Sequence, residues 1–454
     1  LIHTTMVDPN SRRVGDTERS WCRAALGGTG IAVLALRTSS PPDIPRLQAA
    51  LHKLQSSHPI LRSRLHSNAA ATSFSFLTSG APSLKLQSQT LPASASADPL
   101  HQVLELELNR NTWRDSPSDA EDLLFATLYE VQGASTRVLA LRLHVSACDR
   151  TTALLLLQEL LVLMGEEDAA NANANGDYCD RREEANLAIE DLVPRAKAKK
   201  PVWTRGLNML SYSLSSLRLS NLNFVDTKGP RFSQLLRFQL NQNQTNQLLA
   251  GCKCSGIKLC GALVAAGLMA AHCPKRSSRK YGVVTLTDCR SNLEPPLSDN
   301  FGFYHSAILN SHEVKGEESM WELAKRTYEA FANSKKSNKH LSDMADLTFL
   351  MCKAIENPGL TPSSSLRTSV MAVFEDTLVD NGGAKQRQIG VEDYVGCASV
   401  HGVGPSIGIF DTIRDGSLDC VCVYPAPLHS REQMQQILDK MKAILIEAAK
   451  SYTA

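Results

Sequence analysis

LALRLHVSACDRTTALLLLQELL, residues Leu139–Leu161, changes its periodicity halfway along. Leu139, Leu141 and Leu143 alternate with Ala140, Arg142 and His144, the two-residue repeat of a strand running Val138–His144. That alternation turns Arg142 and His144 to the face opposite the leucines. From Ala153 to Met164 the apolar residues run almost unbroken, interrupted only by Gln158 and Glu159, and predict a buried helix. A strand feeding a buried helix through a short polar joint is a building block of α/β proteins.

Reading outward, Gly30–Leu36 and Leu123–Tyr129 are further strands. Ser39–Pro45 is a turn. Asp43 is placed to cap a helix with Pro45 in its first turn, and Ile44, Leu47, Leu51 and Leu54 give the helix Pro45–Gln55 its apolar face. His58–Leu65 then enters another strand, and Ser79–Asp98, rich in Ser, Ala and Pro, is a loop with short strand pieces. From Gly165 to about Arg231 the chain passes through an Ala/Asn repeat (Ala169–Asp177) and a basic, Pro-bounded stretch (Arg195–Pro201), the character of a crossover. The pattern then restarts: strand Leu235–Leu240, helix Asn243–Lys253, turn Ser255–Gly256, small-residue helix Gly261–Ala271, strand Tyr281–Leu286. A hairpin Gly404–Phe410/Leu418–Tyr424 follows around Asp415–Gly416, then a one-faced helix through Met434, Ile437, Leu438, Met441 and Leu445. The expectation is an α/β protein of two related sandwich domains, 1–185 and 232–454, joined by a long crossover, 186–231.

The size agrees: 454 residues exceed what one core usually supports. With 48 basic and 46 acidic residues the net charge is +2, which argues against a dedicated nucleic-acid or polybasic membrane binder. No apolar run reaches the ~18 residues of a membrane span, and Leu1–Arg13 has no apolar core of a signal peptide. Twelve cysteines scattered through apolar runs read as buried thiols, so a cytoplasmic protein is expected, and separately a monomer. Cys252, Cys254 and Cys260, near His272 and Cys273, match no common zinc spacing, and no metal is expected.

Four segments in order carry a resemblance: Leu47–Leu65 with its HPILR run, Leu139–Leu161, Leu248–Ala270 and Gly404–Tyr424. Together they resemble the CoA-dependent acyltransferase superfamily, which holds chloramphenicol acetyltransferase, alcohol acetyltransferases, plant BAHD acyltransferases and nonribosomal-peptide condensation domains. The late Asp-Phe-Gly-Trp-Gly motif of the BAHD branch is missing; Asp299–Phe303 is a partial echo in another place. The resemblance implies two chloramphenicol-acetyltransferase-like domains around a cleft, acyl-CoA as co-substrate, and a small alcohol or amine acceptor.

The family motif, His-His-x-x-x-Asp-Gly, uses its second histidine as general base, because the acceptor must lose a proton as it attacks the thioester and imidazole titrates near working pH. Here the segment reads His144–Val145–Ser146–Ala147–Cys148–Asp149–Arg150. Aligning Asp149 puts His144 on the noncatalytic histidine, Val145 on the base and Arg150 on the glycine. The resemblance makes Asp149 a structural residue paired with Arg290; the alternative is an exposed helix cap. His144 has two readings, a base swung into place by a one-residue bulge or a hydrogen-bonded histidine at a strand end. Cys148 is a nucleophile by type, or a small packed thiol. Tyr304, His305, Ser399, His401, Ser406, Val145 and Ser146 are further candidates for the cleft, each also readable as an ordinary turn or strand residue. Lys258, at a helix start where relatives carry Thr or Ser, cannot cap the helix through its side chain and is a candidate contact for the CoA phosphates. The functional expectation is acyl transfer through a replacement base, His144 or His305. Two alternatives stand beside it: a repurposed enzyme performing elimination, cyclisation or condensation, and a ligand-binding pseudoenzyme.

Overall fold

The computed structural model describes residues 10–39, 41–68, 73–92, 98–116, 119–165, 187–198, 219–272, 278–316 and 318–451. The Ala/Asn repeat, Cys273 and much of the crossover lie outside these.

Two sheets face one another. The first runs in the order Val391–Val400, Thr29–Thr38, Arg137–His144, Leu124–Val131, Leu86–Leu91. The second runs His305–Val314, Arg279–Asp288, Arg367–Phe374, Gly404–Arg414, Ser417–Ala426, Phe232–Leu240, with Leu378–Asp380 paired to Gly404–Arg414. A small four-stranded sheet (Ser11–Arg13, Phe74–Thr78, Ser63–Ser67, Ala120–Asp122) flanks the first lobe. Val391–Val400 comes from the second half of the chain yet adds antiparallel to Thr29–Thr38, pairing Val395 with Ala35. It straps the two lobes together across the division expected near residue 231.

Local chemistry explains the elements. Asp43 accepts the Arg46 N–H and Pro45 occupies the first turn of Ile44–Ser57. Asn241 and Gln244 form a reciprocal capping box on Gln242–Cys254. Helix Leu259–Ala271 is buried on nearly every side. Its small residues admit neighbours: a Cβ on Gly261 would stand 2.9 Å from Tyr328 Cβ, on helix Met320–Lys336. Asp415 and Gly416 both take positive φ (44° and 80°), the two-residue turn that a right-twisted hairpin demands. Each lobe has its own core. A third cluster, with Leu100, Val103 and Leu104 of helix Pro99–Leu108, Val33 and Val138 of the first sheet and Leu235 and Val421 of the second, joins them. Among the described residues no single helix is long and apolar enough to cross a membrane.

Candidate active site

His144 ends its strand opposite Ile31, fully buried. Its Nδ1 accepts the Ser146 N–H at 3.1 Å and lies 2.7 Å from Ser146 Oγ, while the Trp113 ring meets it edge-on at 4.8 Å. Arg142 lies over the same Trp113, so both residues occupy the face that the alternation assigned them. Burial pushes the His144 pKa down to about 3, and its Nε2 has no hydrogen-bond partner among the described residues. His144 is therefore a neutral interior histidine, and the strand carries no bulge that turns it elsewhere. Val145 follows it onto the wall of the central cavity; Ser146 stays buried beside His144.

Asp149, Arg150, Thr151 and Thr152 clamp the lobes. Asp149 Oδ1 accepts the Thr152 N–H at 2.8 Å, capping helix Arg150–Gly165. The same carboxylate takes Arg290 bidentately at 2.9 and 3.0 Å and the Tyr304 N–H at 2.8 Å. It is thus both the cap and the paired, buried aspartate. Arg150 reaches Asp411 at 3.2 Å and stacks on Phe374, Thr151 donates to Asp288 at 2.6 Å, and Thr152 Oγ1 donates to the Gly302 carbonyl at 2.9 Å. Gly302 has φ of 152°, and a Cβ there would stand 2.8 Å from the Tyr304 ring, so only glycine fits this docking loop. Burial opposes the charge on Asp149, but His305 and Arg290 outweigh it and hold the carboxyl far below the ordinary range.

Between the sheets lies a cavity of about 450 Å³, the size of a small-molecule site. Val145, Cys148, Asp149, Arg150, His305 and Ser399 are on its wall. His305 begins strand His305–Val314 and shares a face with Ala307 and Leu309, which also line the cavity. Its Nδ1 is 3.0 Å from Asp149 Oδ2. The contact is short but not aligned as a hydrogen bond. Nε2 is left as the ring nitrogen free for a cavity occupant. Burial drives the Cys148 thiol far upward, and its Sγ contacts the Asp149 carbonyl at 3.5 Å. A thiol held protonated, without an adjacent base, lacks the activation a nucleophile needs.

The other expected residues scatter. Ser399 Oγ accepts the Ile31 N–H at 3.0 Å. His401 is bound to Ser233 at 3.0 Å, and burial pushes it down to about 4. Tyr304 lies beneath Arg290, its backbone serving Asp149. Ser406 Oγ is buried with no hydrogen-bond partner among the described residues, and Ser406, like His401 and Tyr304, is not on the cavity wall. Lys258 makes no cap and is bound instead by Glu375 and Asp376 at 2.8 and 2.7 Å. Sequence reading missed Arg367, a buried guanidinium on the cavity wall that donates to the Ser365 and Val400 carbonyls at 3.2 and 2.9 Å and pairs with no carboxylate among the described residues. A lone Arg in a strand gives no signal of this. No group of three or more His, Cys, Asp or Glu among the described residues is arranged to hold a metal.

No family model matches the chain, and no curated protein sequence matches it. Solved structures do. A trichothecene 15-O-acetyltransferase from Fusarium sporotrichioides superposes with TM-score 0.71 at 13% identity over 96% of this chain and 95% of the other. Polyketide synthase associated protein 5 from Mycobacterium tuberculosis gives 0.66 at 16% identity over 97% and 98%. The first condensation domain of the calcium-dependent antibiotic synthetase gives 0.66 at 16% over 98% and 98%. The chain therefore has the two-lobed fold of condensation domains and chloramphenicol-acetyltransferase-like acyltransferases.

Proposed function

We propose that this protein transfers an acyl group from an acyl-CoA thioester to a small alcohol or amine, with His305 in place of a histidine on the 144–149 segment. The observation that carries the reading is His305 itself, a buried histidine on the cavity wall with Nδ1 3.0 Å from the Asp149 carboxylate. In this reading Nε2 takes the proton of the acceptor O–H or N–H as its oxygen or nitrogen attacks the thioester carbonyl. The C–S bond then breaks and the departing thiolate takes that proton back, giving the ester or amide and free thiol. Asp149 orients the ring and faces the positive charge created on it, and Arg290 and the Tyr304 N–H hold Asp149 in place. The apolar walls exclude water from the thioester.

Val145 on the cavity wall favours a second reading, a binding protein that has given up the chemistry. Free-thiol release from a panel of acyl-CoAs with pooled small alcohols and amines separates the two. Acceptor-dependent release by the wild type supports acyl transfer. An inert wild type beside an active Val145→His variant supports the binding protein.

A further inference from the structure

Facing sheets ordinarily pack about 10 Å apart with their side chains filling the gap. Here several wall positions are small, beside larger ones such as Leu34, Leu286 and Phe410. Ala32, Ala307, Ala372, Gly396 and Ala398 all lie on the cavity wall, drawn from strands of both sheets.

Gly396 is the most informative of them. A glycine inside a strand usually marks a bulge or the close approach of another backbone. The register of Val391–Val400 against Thr29–Thr38 shifts at 391/393 and at 398/400, but runs unbroken through Gly396. No backbone approaches either: a Cβ built on Gly396 would meet only Leu34 Cδ1, at 3.8 Å. Gly396 is exposed although both flanking residues in the strand, Val395 and Cys397, are buried. The missing side chain thus keeps space open in the cavity. That space lies along strand Thr29–Thr38, where Gly30 and Leu34 both line the cavity, four residues or roughly 13 Å apart at strand rise, with Leu34 opposite Gly396. A Cβ on Gly30 would stand 3.4 Å from Val145 Cβ, four residues before Asp149 and its His305 contact, so the reacting end of the channel is the Gly30 end.

We propose that the acyl group carried here is a long apolar chain of fatty-acyl type, seated between the sheets with its carbonyl at His305, and that Gly396 and Ala398 set the length admitted. The proposal rests on the acyl-transfer reading for the chain's chemistry, but not for its binding. Titration calorimetry with acetate, butyrate, octanoate and palmitate tests binding directly, and thiol release from the matching CoA thioesters tests turnover. Each methylene buried is expected to tighten binding about fourfold until the channel is full. Gly396→Phe is expected to weaken palmitate at least tenfold and move the optimum to a shorter chain, while Gly396→Ala, whose methyl meets only that one contact, stays near wild type. The wild-type series stands by itself if Gly396→Phe fails to fold. Binding that is indifferent to chain length, or palmitate held as tightly by a folded Gly396→Phe protein, overturns the proposal. Chain-length-dependent binding without thiol release upholds it and removes the acyl-transfer reading. Thiol release indifferent to chain length does the reverse.

Discussion

Asp149→Asn takes the charge from a carboxylate on which both lobes converge. In the native protein its two oxygens take two guanidinium contacts from Arg290 and the N–H groups of Thr152 and Tyr304. The amide keeps one acceptor and turns two N–H donors toward groups that are themselves donors. Arg290, 4% exposed, is left with Asp288 at 3.0 Å as its one carboxylate among the described residues. Breaking one side of a buried pair costs about 3–5 kcal/mol, a large share of the roughly 5–15 kcal/mol that holds a protein folded. Asp149→Ala adds about 1 kcal/mol for the lost helix cap. Because most of the cost is an orphaned guanidinium, the double variant Asp149→Asn/Arg290→Met should be more stable than the two single losses sum to, by roughly 1–3 kcal/mol. Urea unfolding followed by tryptophan fluorescence measures the wild type, both Asp149 variants, Arg290→Met and the double variant. The reasoning is refuted if Asp149→Asn stays within the ~0.5 kcal/mol of an ordinary surface change, or if the single losses simply add.

Acid should unfold the protein early. Burial holds His144 near 3 and His312, His401 and His429 near 4, below an ordinary 6.5. The unfolded chain then binds more protons, so their contribution is full above about pH 6.5 and is lost as pH falls toward 4. At about pH 5 each such histidine accounts for up to ~2 kcal/mol, and the denaturant midpoint should drop steeply between pH 7 and 5; a flat profile contradicts their burial as neutral rings. Asp149, held low, has the same sign at still lower pH. Iodoacetamide at neutral pH should label exposed Cys254 and spare Cys148 until denaturant is added, read by peptide mass spectrometry; labelling of Cys148 in the folded protein would return it to candidacy as a nucleophile. Arg150→Gly strands the buried Asp411 and should lower the melting temperature, with Asp411→Asn in the same chain recovering part of the loss; no change would mean the clasp carries no weight.

The fold was legible because its elements repeat a period. The leucine alternation at 139–143, the cap at Asp43 and the Asp415–Gly416 turn each specify local geometry on their own. Helix Pro99–Leu108 could have been read from Leu100, Val103, Leu104 and Leu108, but it follows a Pro- and Ser-rich stretch that masks its start. The strap Val391–Val400 could not be read, because pairing with a strand more than 350 residues away leaves no local trace. At the site, Asp149 and Arg290 were reached through the resemblance, and His305 was named as a replacement base only alongside His144, with nothing in the sequence to choose between them. What distinguishes His305 is the register that turns it to the Ala307–Leu309 face and brings it to Asp149, a property of the assembled lobes. Gly396 looks like any strand glycine until the open space beside it, bounded within 4 Å only by Leu34, is seen.

Thiol release by His305→Ala, with and without added imidazole, tests the central claim most directly. On the best acyl-CoA and acceptor, removing a general base should cost about a hundredfold or more, and free imidazole should restore part of the rate, while His144→Ala, if folded, keeps its activity. Full activity in His305→Ala, or its loss in a folded His144→Ala protein, would contradict the assignment of the base.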